Sequence, residues 1–119
     1  MKNGSFAARL GYALAGIRTV WRREKSFRMH CGFGLLAVAV AALLQVSLVW
    51  WAIVGLCIAL VLAMEMINAA LEYLIDRVHP EIHEEIKHAK DAAAGGVLLA
   101  CIGTASVGCL MILGWWLAR

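Results

Sequence analysis

Glu65, Asn68, Glu72 and Asp76 follow one another at steps of three, four and four residues, just after a run, 29–64, that holds no Asp, Glu, Lys or Arg. On an α-helix those steps put all four side chains on one stripe. Asp76 and Arg77 mark the polar end of the stripe, and Glu65 lies about 16 Å deeper along a helix axis at ~1.5 Å per residue. A carboxylate at membrane depth costs roughly 3 kcal/mol or more, so its presence there points to function. Carboxylate oxygens near the surface suit a hard divalent cation, and Mg2+ is usually held by one or two carboxylates together with substrate phosphates. Lys90 can steady phosphate charge. Glu65, deeper and less solvated, suits a general base. A base at that depth meets the hydroxyl of a lipid. The pattern points to phosphoryl transfer, with a phosphate donor above and a lipid alcohol below.

The elements that must position these groups are membrane helices. Of the 119 residues, 63% are hydrophobic and one is proline, far more apolar than a soluble domain of this size needs. The stretches 29–64 and 92–118 carry no formal charge. At about 20 residues per span they accommodate a helical hairpin and one further crossing. The expected fold class is an all-α membrane protein: an N-terminal amphipathic interfacial helix plus three transmembrane helices. One domain covers 1–119, divided into an interfacial helix 1–26, spans at 27–47, 48–76 and 90–118, and a cytoplasmic loop 77–89. Phe6, Leu10, Ala13, Leu14, Ile17 and Trp21 recur at helical steps among Arg9, Arg18, Arg22 and Arg23, the pattern of a helix lying in a membrane interface. His79-Pro80 ends the second span, since proline cannot continue a helix. Ala92, Ala93, Ala94, Gly95 and Gly96 open the third with no bulky side chain, which suits close helix approach in lipid. The N-terminus shows no short apolar core with a small-residue cleavage site, so no removable signal peptide is expected.

The net charge of +3 matters less than where it sits. Lys2, Arg9, Arg18, Arg22, Arg23, Lys25 and Arg28 precede the first span, opposed by Glu24 alone. Arg77, Lys87 and Lys90 lie between spans two and three, while the connection around Gln45 and Ser47 carries no charge. The positive-inside rule puts the N-terminus and the 77–90 connection in the cytoplasm. Trp50, Trp51, Trp115 and Trp116 then fall together at the outer interface. Attraction to anionic lipid, about 1 kcal/mol per charge near the surface, accounts for the basic residues, so nucleic acid is not an expected partner.

Glu65, Asn68, Glu72 and Asp76, followed by Ala89-Lys90-Asp91-Ala92-Ala93-Ala94-Gly95, closely resemble the small prokaryotic integral-membrane lipid kinases, the diacylglycerol kinase and undecaprenol kinase family. The resemblance runs from about Tyr12 through the third span. It implies a homotrimer with active sites shared between subunits, with ATP as co-substrate and Mg2+ as cofactor. By matching positions it makes Glu65 the catalytic base and gives Glu24 and Glu72 the metal. Tyr12, Asn68, Glu72, Asp76, Glu81, His83, Lys90 and Asp91 would line the nucleotide site. The chain has no Walker A loop and no protein-kinase motif, and its mostly membrane-embedded residues leave no room for either domain. His30 stands where the proteobacterial diacylglycerol kinases carry an acidic residue, and Ala92, Ala93 and Ala94 where they carry a Met-Gly-Ser run. These stretches look more like the undecaprenol kinase branch. The acceptor stays open between undecaprenol and diacylglycerol.

Each feature also has a plainer meaning. Glu65 could be a structural carboxylate bonded to a neighbouring helix, and Glu24, alone among arginines, a surface ion pair. His79, His83 and His88 lack a third correctly spaced zinc ligand. Cys31, Cys57, Cys101 and Cys109 show no metal or paired spacing and read as small hydrophobes. Glu84 and Glu85 read as solvated charges. Two other functions fit an intramembrane carboxylate: a small oligomeric proton- or cation-coupled transporter, and a non-catalytic assembly subunit. A transporter shows proton-linked flux without nucleotide affinity, and an assembly subunit tolerates Glu65→Gln.

Overall fold

The computed structural model describes residues 4–119, and Lys2 of the basic N-terminal group lies outside them. Four helices follow in order: α1 (Phe6–Arg23), α2 (Lys25–Leu44), α3 (Leu48–Val78) and α4 (Glu84–Leu117). The last three are long and apolar enough to cross a membrane. At ~1.5 Å per residue α3 and α4 are about 46 and 51 Å long, more than the roughly 30 Å of a bilayer's hydrocarbon core, so their polar ends must project from it.

Each break has a local cause. Ser5 caps α1, its hydroxyl accepting the Ala8 N–H at 3.2 Å. Glu24 then adopts extended backbone, φ −113° and ψ 107°, and separates α1 from α2. Arg28 secures this corner: its guanidinium donates to the Trp21 and Arg22 carbonyls, which α1 leaves without intrahelical partners. The Trp21 and Phe27 rings meet edge to face across it at 6.5 Å. Gln45 ends α2 in the left-handed region at φ 53°, and Val46 N–H closes the turn on the Ala41 carbonyl at 3.3 Å. Pro80 stops α3, whose last turn is closed by His79 N–H on the Ile75 carbonyl. His83 caps α4: its Nδ1 accepts the Glu85 N–H at 3.1 Å, and Glu84 and Glu85 sit in the first turn, where the helix dipole favours acids.

The short connections make α2 antiparallel to α3 and α3 antiparallel to α4, as the contacts Gly34–Ile58 and Met64–Gly96 show. Two apolar clusters lie at opposite ends. Val20, Phe27 and Ala69 join α1, α2 and α3, with Cys31, Leu62, Met66 and Tyr73 packed around them. Ala41, Val54 and Met111 join α2, α3 and α4, flanked by Trp50 and Trp51. Many other large apolar side chains, among them Leu36, Leu56, Leu99 and Leu110, face outward, as lipid-facing helices require.

Small residues set how closely the helices approach. A Cβ on Gly34 would sit 3.3 Å from Ile58 Cγ2, and one on Gly96 would sit 2.6 Å from Met64 Cε, next to Glu65. We therefore expect Gly34→Leu to lower stability by about 1–3 kcal/mol through overpacking, and Gly34→Ala to cost less because Ile58 can yield. Titration of detergent-solubilised protein with a denaturing detergent measures both.

Candidate functional site

Glu65 is 5% exposed and is the buried charged side chain among the described residues. It points neither at the polar end of α3 nor at lipid, but across at α2. Ser26 donates to its Oε2 at 3.2 Å, and His30 Nδ1 stands 2.7 Å from its Oε1. Ser26 and His30 are one helical turn apart on α2, so a single face of that helix serves both oxygens. The His30 contact is short but off the line of a ring N–H bond, which leaves Nδ1 without a true hydrogen bond. The other ring nitrogen, Nε2, is 3.4 Å from the Cys101 sulfur on α4. Three spanning helices thus meet around one carboxylate.

One turn towards the polar end, Asn68 Oδ1 is buried and has no hydrogen-bond partner among the described residues. Beyond it, the corner between α1 and α2 delivers Glu24 to α3. Tyr73 donates its hydroxyl to Glu24 Oε2 at 2.7 Å, and the Arg23 guanidinium stacks 4.2 Å from the Tyr73 ring. Glu72 is half-buried and near enough for its charge to act on the same phenol. Lys90 reaches from α4 to Asp76 on α3. Asp91 is engaged elsewhere: it accepts from Lys87 one turn earlier at 2.7 Å and, by that bond and its charge, holds the Lys87 ammonium above its ordinary pKa.

The structure therefore brings Glu24 to Tyr73 on α3, joins Asp76 to Lys90, and sets Glu65 deeper along α3. The remaining sequence candidates make no side-chain contact with these groups among the hydrogen bonds and ion pairs of the described residues. Tyr12 is 49% exposed on α1. Glu81 is exposed in the α3–α4 connection, and His83 is occupied as a helix cap. Residue type alone does not single out the side chains around Glu65 and Glu24: Ser26 and Tyr73 are ordinary helix residues, and His30 and Cys101 lie within apolar runs. The available signal is the four-residue spacing of Ser26 and His30, which puts both on one face of α2.

Among the described residues no three His, Cys, Asp or Glu side chains converge to form a closed metal cage. A Mg2+ ion that shares its coordination with phosphates needs no such cage. One or two carboxylates suffice for such an ion. From His30 an apolar groove of about 430 Å3 runs between α2, α3 and α4, bordered by Gly34, Ile58, Cys101, Thr104 and Met111. His30, which lines this groove, is also the residue that faces Glu65.

The model for the family described as prokaryotic diacylglycerol kinase matches residues 11–112. The diacylglycerol kinase of Synechocystis sp. is 39% identical over 103 residues, which cover 85% of this chain and 59% of that protein. The diacylglycerol kinase of Escherichia coli K12 is 33% identical over 102 residues, 86% of this chain and 84% of that protein. The undecaprenol kinase of Bacillus subtilis is 30% identical over 102 residues, 86% of this chain and 83% of that protein. The chain thus spans less than two thirds of the cyanobacterial relative and most of the other two.

The Lys90–Asp76 pair is solvent-accessible, with side chains 39% and 63% exposed. Exposed pairs contribute about 0–1 kcal/mol. Lys90→Met is therefore expected to leave the unfolding midpoint in detergent nearly unchanged, so a lost activity in that variant reports on chemistry rather than on folding.

Proposed function

This chain belongs to the prokaryotic diacylglycerol kinase family of membrane lipid kinases, and we propose that it moves the γ-phosphoryl group of ATP onto the hydroxyl of a lipid alcohol at the cytoplasmic leaflet, with Glu65 as general base. The observation that carries this reading is the placement of Glu65. It is buried, held at both oxygens, and set one layer below a cluster of carboxylates and a lysine suited to a nucleotide. Undecaprenol and diacylglycerol are the acceptors to be distinguished, since relatives of both names are similar to the chain to comparable degrees.

In this mechanism the lipid lies with its hydrocarbon along the groove that starts at His30 and its hydroxyl at Glu65. A carboxylate has about four acceptor positions. Ser26 occupies one on Oε2 and His30 stands beside Oε1, leaving room for the lipid hydroxyl. As that oxygen attacks phosphorus in line, Glu65 takes its proton, the new P–O bond forms and the bond to the β-phosphate breaks, releasing ADP. Asn68, Asp76, Glu81, His83, Lys90, Asp91 and Tyr12 hold the nucleotide. Mg2+, held by Glu24 and Glu72, supplies neutralising charge at the phosphates when bound. Tyr73 keeps Glu24 aimed at the corner.

The functional unit in this proposal is a homotrimer with sites shared between copies. What supports it is that one chain buries few side chains around Glu65, so neighbouring copies would complete its enclosure. We place α1 in the cytoplasmic interface of the inner membrane. Its exposed Phe6, Leu10, Leu14, Ile17 and Trp21 offer the apolar side and its arginines the lipid-headgroup side.

Purified protein in lipid bilayers should release ADP when Mg2+, ATP and one of the two lipid alcohols are all present. Glu65→Gln should lower that rate by about 10²–10⁴-fold, the usual contribution of a positioned general base, while nucleotide still binds. ADP release without any lipid alcohol, or full activity in Glu65→Gln, would exclude the mechanism. Chelation with EDTA should abolish the rate and excess Mg2+ restore it. Glu24→Gln and Glu72→Gln should each raise the Mg2+ concentration needed for half-maximal activity.

A further inference from the structure

We infer that His30 is the positioning residue for Glu65, fixing the carboxylate's orientation from α2; the inference rests on the general-base reading above. A buried carboxylate free to rotate about its last torsion presents either oxygen to an incoming hydroxyl. Here both oxygens are restrained, yet unequally. Ser26 offers one hydroxyl at 3.2 Å and is otherwise exposed on α2. His30 is the closer partner at 2.7 Å and the more enclosed, its side chain 17% exposed. Its rotation is itself limited from the far side, where Nε2 meets the Cys101 sulfur at 3.4 Å, and by the Phe33 ring 6.4 Å away.

A carboxylate oxygen only accepts, so a bond from His30 to Oε1 requires the hydrogen on Nδ1, and Nε2 is then free to accept from the Cys101 S–H. A small turn of the ring aligns Nδ1–H with Oε1 and removes the unpartnered buried nitrogen. Such bonds tighten when a substrate settles into a site. The same imidazole lines the apolar groove, so a lipid occupying the groove packs against His30. His30 therefore couples occupation of the groove to alignment of the base. It touches no reacting atom, and its effect belongs in kcat.

Asparagine and glutamine at position 30 distinguish this role from mere packing. An Asn side chain places its amide where Nδ1 was, against Glu65, whereas a Gln amide extends to the Nε2 position, against Cys101. We expect His30→Gln and His30→Leu to lower kcat for lipid phosphorylation by about 10–100-fold, part of the roughly 10²–10⁴ contributed by the base itself. The KM for ATP should stay within about twofold, because nucleotide contacts are unaltered. His30→Asn should recover most of the rate. If His30→Leu fails to assemble, the Asn-against-Gln comparison carries the test, as both are polar amides of similar bulk. Equal rates for His30→Asn and His30→Gln, or a loss that appears in KM for ATP alone, would overturn the inference. Failure of the underlying reading has a different signature: Glu65→Gln would then remain active whatever stands at position 30.

Discussion

A single buried carboxylate governs how this small bundle is put together. Removing Glu65 from water without compensation costs several kcal/mol, more than a bundle with so few fully buried side chains can absorb. The compensation comes from two other helices. Ser26 and His30 answer it from α2, and Cys101 supports His30 from α4. Because the three helices contribute different parts of one polar centre, their register is specified by that centre. Apolar packing in lipid, which is tolerant of sliding, does not specify it. Gly96 beside Met64 and Gly34 beside Ile58 then allow the approach such short polar contacts demand.

A second constraint acts at the α1–α2 corner. Two helices abut there with one extended residue between them, and α1 ends with carbonyls that no intrahelical donor can reach. Arg28 meets them, which fixes the direction in which Glu24 projects. The same residue that breaks the helix thus becomes the one that crosses to Tyr73 on α3. An acid among arginines, ordinarily a weak surface pair, becomes part of the polar layer through backbone geometry.

The functional picture joins these two features at different depths. Carboxylates and Lys90 occupy the polar end, where hydrated phosphates and a cation belong. Glu65 lies below, where the proposed mechanism puts the lipid hydroxyl, and the apolar groove lined by His30 runs between α2, α3 and α4. The separation follows from the lengths of α3 and α4, which outrun the hydrocarbon and carry polar residues out of it.

How much was legible beforehand follows the range of the physics involved. Helices, their number and the depth of Glu65 below Asp76 depend on composition and periodicity, which are local; the apolar runs 29–64 and 92–118 therefore announced spanning helices directly. The stripe of Glu65, Asn68, Glu72 and Asp76 was equally plain, since helical spacing alone puts residues on one face. What that face meets was not. That Glu65 turns to Ser26 and His30, that Glu24 reaches Tyr73, and that Asp91 pairs with Lys87 while Lys90 takes Asp76 are outcomes of contacts between helices or of competition between neighbours. His83 shows the same limit: its residue type suggested a ligand, and the start of α4 uses it as a cap. The one-dimensional pattern determined which side chains are polar and how deep they lie. Tertiary structure alone decided their partners, because pairing depends on the register between helices, which no spacing within one helix encodes.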